Sequence, residues 1–77
     1  MLMRKTMNIQ FDSYDMVERF SRDVAGMPGE FDLASGRRSV DAKSFLGIFS
    51  LDLSRPVILT AVTDDVAAIE KLRAYQL

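Results

Sequence analysis

Val40-Asp41-Ala42-Lys43-Ser44-Phe45-Leu46-Gly47-Ile48-Phe49-Ser50-Leu51-Asp52 compresses a strand end, a helix cap and a short apolar helix into one segment. The Ser44 hydroxyl can accept from an amide two or three residues on, which makes it a helix N-cap. Phe45, Ile48 and Phe49 then recur at helical spacing, with Leu46 one step round the axis. Gly47 interrupts the run, where glycine costs about 1 kcal/mol against alanine. Some group is therefore expected to approach the backbone there. The apolar run is nearly continuous, and a helix this short cannot bury every side of it. Ile48, Leu51 and Leu53 are expected on the buried side. Phe45, Leu46 and Phe49 are expected either in the core or on a surface that meets a partner.

Upstream, residues 37–42 read as a strand returning from a Ser35-Gly36 turn. Residues 30–34 alternate about Phe31 and Leu33 as its hairpin partner. Gly26-Met27-Pro28-Gly29 ends a preceding helix, with Pro-Gly in the middle of a type II turn. That helix carries Val17, Phe20 and Val24 as one stripe and runs to about residue 25. Asp12 is its expected cap, with Asp15 as a variant capping-box partner and Phe11 and Met16 at staple spacing. Ser13 is the alternative cap. Before it, Met7, Ile9 and Phe11 share one face of a first strand, and Thr6, Asn8 and Gln10 the other.

Downstream, Ser54-Arg55-Pro56 separates the short helix from a strand over residues 57–62. Pro56 sits at the strand start, where a missing amide is tolerated. Thr63-Asp64-Asp65 is expected to open the last helix, with a capping hydroxyl and two acids at its positive end. Ala68, Ile69, Leu72 and Tyr75 form the buried stripe of that helix, and Lys71 and Arg73 lie near its C-terminus.

The order βαββαβα describes one α+β domain over residues 1–77: a four-stranded antiparallel sheet with three helices on one face. A ferredoxin-like arrangement shares the first six elements. The very short second helix and the extra third helix favour an open-faced β-sandwich instead.

Composition narrows the chemistry. The 77 residues are 48% hydrophobic and 27% charged, which is globular rather than disordered. A net charge of -1 gives no broad electrostatic case for nucleic acid. The chain has no cysteine and no histidine, so disulfides, thiolates, imidazole bases and phosphohistidine are all excluded. Lack of cysteine fits a reducing cytoplasm, the expected location. No apolar run reaches membrane-spanning length, and no hydrophobic stretch follows Met1-Leu2-Met3-Arg4-Lys5, so neither membrane insertion nor a signal peptide is expected. Asp64 and Asp65 read as helix-start acids rather than metal ligands. Arg37 and Arg38 read as a solvated strand edge, with anion binding as the alternative. No acid–base constellation converges, so no catalytic residue, cofactor or metal is expected.

Lys43-Ser44, an apolar pair, Gly47 and then Ile48-Phe49-Ser50-Leu51 resemble the second-helix region of HPr, the histidine-containing phosphocarrier family of the bacterial sugar phosphotransferase system. Residues 40–54 carry the specific match; the remainder agrees in pattern. The resemblance implies an HPr-like open-faced β-sandwich. It also implies a divergent member. The family carries phosphate on a histidine at the start of the first helix, followed by arginine and proline. Counted back from Ser44 without gaps, the histidine position falls on Ser13, the arginine on Asp15 and the proline on Met16. A serine phosphoester is a poor donor, and an acyl phosphate on Asp12 or Asp15 would lack neighbouring cations.

The resemblance further implies that Ser44 is a candidate for regulatory phosphorylation. In Gram-positive members the matching serine is modified by a dedicated kinase, and the product binds a transcriptional regulator. A helix N-terminus with Lys43 adjacent suits a phosphate; a cap alone also accounts for Ser44. Phe45, Leu46 and Phe49, with Lys43, are the implied docking patch. The expected function is a non-catalytic regulatory protein, a monomer or weak homodimer. Its partners would be proteins such as a serine kinase or transcriptional regulator, in the setting of sugar transport. The alternatives are a small-ligand-sensing domain of ferredoxin-like type and, third, a residual phosphocarrier.

Overall fold

Inward-facing residues at every second position of three strands line one face of a sheet, and three helices cover that face. The computed structural model describes residues 1–77. The elements are β1 (Met3–Ile9), α1 (Tyr14–Ala25), β2 (Glu30–Ser35), β3 (Arg38–Asp41), α2 (Phe45–Phe49), β4 (Val57–Thr63) and α3 (Val66–Leu72), with a 3-10 turn at Arg73–Tyr75. The sheet order is β1-β4-β2-β3, antiparallel throughout. A ferredoxin-like sheet would place β1 and β3 in the middle. Here β4 and β2 are central, which removes the ferredoxin-like alternative. No helix is long and apolar enough to cross a membrane.

Met7 and Ile9 of β1, Phe31 and Leu33 of β2, and Val57, Leu59 and Ala61 of β4 form the sheet side of the core. Val17, Phe20 and Val24 of α1, Ile48 of α2, and Ala68, Ile69 and Leu72 of α3 complete it. Phe20 is fully buried, with Phe11 and Tyr75 edge-on to its ring at 5.2 and 5.3 Å. Burial of one such side chain stabilises by about 1.5–3 kcal/mol.

Several local expectations shift. Ser13, not Asp12, caps α1: its backbone is extended and its Oγ accepts from the Met16 amide at 3.2 Å. The staple positions thereby become Asp12 and Val17, and the Phe11–Met16 staple lapses. The hairpin turn is Gly36-Arg37 rather than Ser35-Gly36, because Ser35 pairs with Arg38. Gly36 has φ 59 at the first central position, and no non-glycine residue has positive φ, as a type II′ turn requires. Arg37 thus belongs to the turn and β3 begins one residue later. Leu53 is half-buried rather than in the core.

Thr63 does not cap α3. It is the last inward residue of β4 and is fully buried; its hydroxyl donates to Pro28 O at 2.6 Å and accepts from the Asp65 amide at 3.1 Å. Asp65 is the cap, accepting from the amides of Ala67 and Ala68. Beside Thr63, Gly29 has φ 119, and a Cβ there would lie 2.4 Å from Val62 O. The entry to β2 therefore passes directly against β4.

Candidate functional site

Five residues make too short a helix to persist alone, so α2 depends on its ends and its neighbours. Ser44 Oγ accepts from the Gly47 amide at 3.1 Å, as the cap requires. At the other end Ser50 Oγ donates to Gly47 O at 2.6 Å, and the Leu51 amide donates to Ile48 O at 3.1 Å. The close approach expected at Gly47 is made by the cap itself. A Cβ on Gly47 would stand 3.0 Å from Ser44 Oγ and 3.1 Å from Ser44 Cβ, with Val40 Cβ at 3.4 Å.

Ile48 anchors α2 in the core at 0% exposure, and Leu51 follows it inward. Leu46 points to solvent at 81% exposure; Phe49 is 40% exposed and Phe45 half-buried. The apolar run is therefore split between core and surface.

The surface side gains a residue that the sequence reading left unused. Tyr14, the first residue of α1, is 58% exposed. Its ring stacks on Phe49 with centroids 5.6 Å apart and planes at 20°. It meets Phe45 edge-on at 6.2 Å, and Phe45 meets Phe49 edge-on at 5.0 Å. Tyr14 stands three residues before Val17, so it extends the Val17–Phe20–Val24 stripe one turn toward the cap. That spacing was the available signal.

Beside the rings lies an open groove of about 210 Å³, lined by Asp12, Ser13, Tyr14, Val17, Phe49 and Leu53 together with Phe11. Gln10 Nε2 donates to Leu53 O at 3.1 Å and ties the segment after α2 to the end of β1. The groove therefore joins Ser13 to the α2 surface. Its lining holds one carboxylate and no lysine or arginine.

Lys43 is not brought to this surface. Its ammonium donates to Met27 O at 2.7 Å and sits 5.5 Å from the centroid of the Phe31 ring. Met27 follows the C-terminal end of α1, whereas Tyr14 opens that helix, and 12 helical residues at about 1.5 Å each separate the two ends. Arg37 and Arg38 are exposed at the hairpin, and neither lines the groove.

Two shifted groups lie outside the groove lining. Burial, and then a hydrogen bond to Asp23 and its charge, push the Tyr75 phenol up to about 12. The Tyr75 hydroxyl donates to Asp23 at 2.6 Å, and Lys71 approaches the same carboxylate at 3.4 Å. This cluster ties the C-terminal turn to α1. The exposed Asp52 carboxyl is held below its usual value by the hydroxyl and amide of Ser54 and, more weakly, by Arg55.

No protein-family model matches the chain. No curated protein matches it either. Solved structures do. A crystal structure of HPr-C-His from Thermoanaerobacter tengcongensis superposes with a TM-score of 0.75 at 24% identity, over 94% of this chain and 88% of that one. The phosphocarrier protein HPr from Bacillus anthracis str. Ames superposes with a TM-score of 0.75 at 20% identity, over 99% of this chain and 98% of that one. With its βαββαβα order, its β1-β4-β2-β3 sheet and this near-complete superposition, the chain has an HPr-like fold.

Proposed function

We propose that the chain is a non-catalytic regulatory protein on the HPr fold, one that docks protein partners through Phe45, Leu46, Phe49 and Tyr14. The observation that carries this reading is the adjoining exposure of Leu46, Tyr14 and Phe49 on two helix ends packed together by aromatic contacts. Contiguous exposed apolar surface of this kind is characteristic of binding faces. Large aromatic anchors beside a groove suit a protein partner.

Phosphate carriage is the weaker reading on chemical grounds. Ser13 occupies the implied carrier position with its Oγ engaged by the Met16 amide. The groove beside it presents a carboxylate and no cation, the opposite of what a phosphoryl group needs.

Ser44 is the proposed regulatory phosphorylation site within the same reading. Its residue is exposed and its oxygen already faces the Gly47 amide. Lys43 contributes to a phosphate there, or to docking, only when it leaves Met27 O. A serine kinase or transcriptional regulator as partner, and a setting beside sugar transport in a bacterial cytoplasm, rest on the likeness to HPr.

The test is a pair of variants, Leu46→Glu and Phe49→Glu, compared with the unaltered chain against a partner purified from its own cells. Loss of more than tenfold in affinity in both supports docking here; full affinity in both contradicts it. Intact-mass measurement of the native protein, grown with and without a preferred sugar beside a Ser44→Ala variant, tests the modification. A phosphate that depends on sugar and on Ser44 supports it, and none in either condition contradicts it.

A further inference from the structure

The charge around the aromatic groove specifies the partner further, given the docking reading above. Asp12 and Asp15 flank Tyr14 at the start of α1. The ion pairs of the molecule are Arg22–Glu18, Lys71–Asp23 and Arg73–Glu70, so neither flanking acid has a cation. Neither is used in capping, which Ser13 performs. Asp12 lines the groove itself, and no basic residue does. Tyr14 keeps 58% exposure despite its contacts with Phe45 and Phe49. The surface thus offers an aromatic ring, an apolar groove with one unpaired carboxylate in its lining, and a second unpaired carboxylate on the residue that follows the ring.

We infer that the partner presents an arginine next to an apolar side chain, the guanidinium meeting Tyr14 and Asp12 or Asp15, the apolar side chain entering the groove against Phe49 and Leu53. Arginine fits better than lysine because its planar guanidinium stacks on a ring while its fork of donors meets a carboxylate. An acidic partner would bring like charge to two carboxylates that no ion pair neutralises.

The probe is an acetylated, amidated peptide of alternating leucine and arginine, titrated into the isotope-labelled full chain and followed by residue-resolved NMR. Its lysine and glutamate counterparts run beside it. The arginine peptide is expected to shift amides at 12–17 and 45–53, the lysine peptide to bind more weakly, and the glutamate peptide to leave the spectrum unchanged. An Asp12→Asn/Asp15→Asn double variant, its fold checked by the same spectrum, is expected to bind the arginine peptide about fivefold more weakly, the scale of two exposed ion pairs. Equal shifts from the glutamate peptide, no shift from the arginine peptide, or unchanged affinity in the double variant would each overturn the inference. The two readings fail separately: a cellular complex lost in Leu46→Glu and Phe49→Glu but kept in Asp12→Asn/Asp15→Asn retains docking and removes the arginine, whereas a complex kept in both Glu variants removes docking itself.

Discussion

Tyr14 and Phe49 stack with ring centroids 5.6 Å apart, joining the first residue of α1 to the last residue of α2. The stack gives a five-residue helix a second support besides Ile48. It also keeps both rings near solvent, where they can serve a partner. One contact therefore links the packing of α2 to the proposed docking face.

A double-mutant cycle between Tyr14→Ala and Phe49→Ala should show coupling of about 0.5–1 kcal/mol in urea unfolding, the lower range for aromatic pairs because both rings are partly exposed. Strict additivity would mean that the stack adds nothing beyond the area each ring covers.

Gly47→Ala should fail to yield the roughly 1 kcal/mol that alanine usually brings to a helix interior. The new Cβ would crowd Ser44 Oγ at 3.0 Å and disturb the cap, which is itself worth about 1 kcal/mol. In a Ser44→Gly background the crowding atoms are gone and the alanine should stabilise. Equal effects in both backgrounds, read from unfolding midpoints, would contradict this account of Gly47.

Thr63→Val should destabilise by about 1–3 kcal/mol, since it keeps the shape but leaves Pro28 O and the Asp65 amide without the hydroxyl they share. Chemical denaturation of the pair of proteins measures it directly.

These positions show where the sequence was readable. The alternation in β1 and β2, the apolar run after Pro56 and the stripes on α1 and α3 led to the right element order, because burial of one face dictates them. The Ser44 cap and the inward Ile48 were equally legible. Caps chosen among several neighbours were not. Asp12, Ser13 and Thr63-Asp64-Asp65 offer competing acceptors, and at the second of these tertiary position decided: Thr63 was drawn into β4, so Asp65 took the cap. Lys43 looked like part of the α2 patch by adjacency, yet its long side chain reaches Met27 O. Tyr14 went unused because the contact that gives it meaning is made to Phe45 and Phe49, some thirty residues away in the chain.

Alkaline pH should weaken the fold through Tyr75. Its phenol is raised from 10.0 to about 12 in the folded chain, by burial first and then by Asp23. Above pH 10 the unfolded phenol loses its proton while the folded one keeps it, so the folded state binds more protons and rising pH favours unfolding. The contribution is fully present below about pH 10 and is lost as pH rises through about 12, by at most about 1.4 kcal/mol per pH unit. The difference in unfolding free energy between the parent and Tyr75→Phe should therefore shrink across this window. A difference that stays constant with pH would contradict the assignment.

The most direct test of the docking face is a residue-resolved NMR footprint of the chain bound to a partner purified with it from its own cells. The account predicts protection and shift changes concentrated at residues 12–17 and 45–53, with Tyr14, Leu46 and Phe49 at the centre. A footprint confined to the open face of the sheet or to the β1 edge, with those residues unchanged, would contradict it.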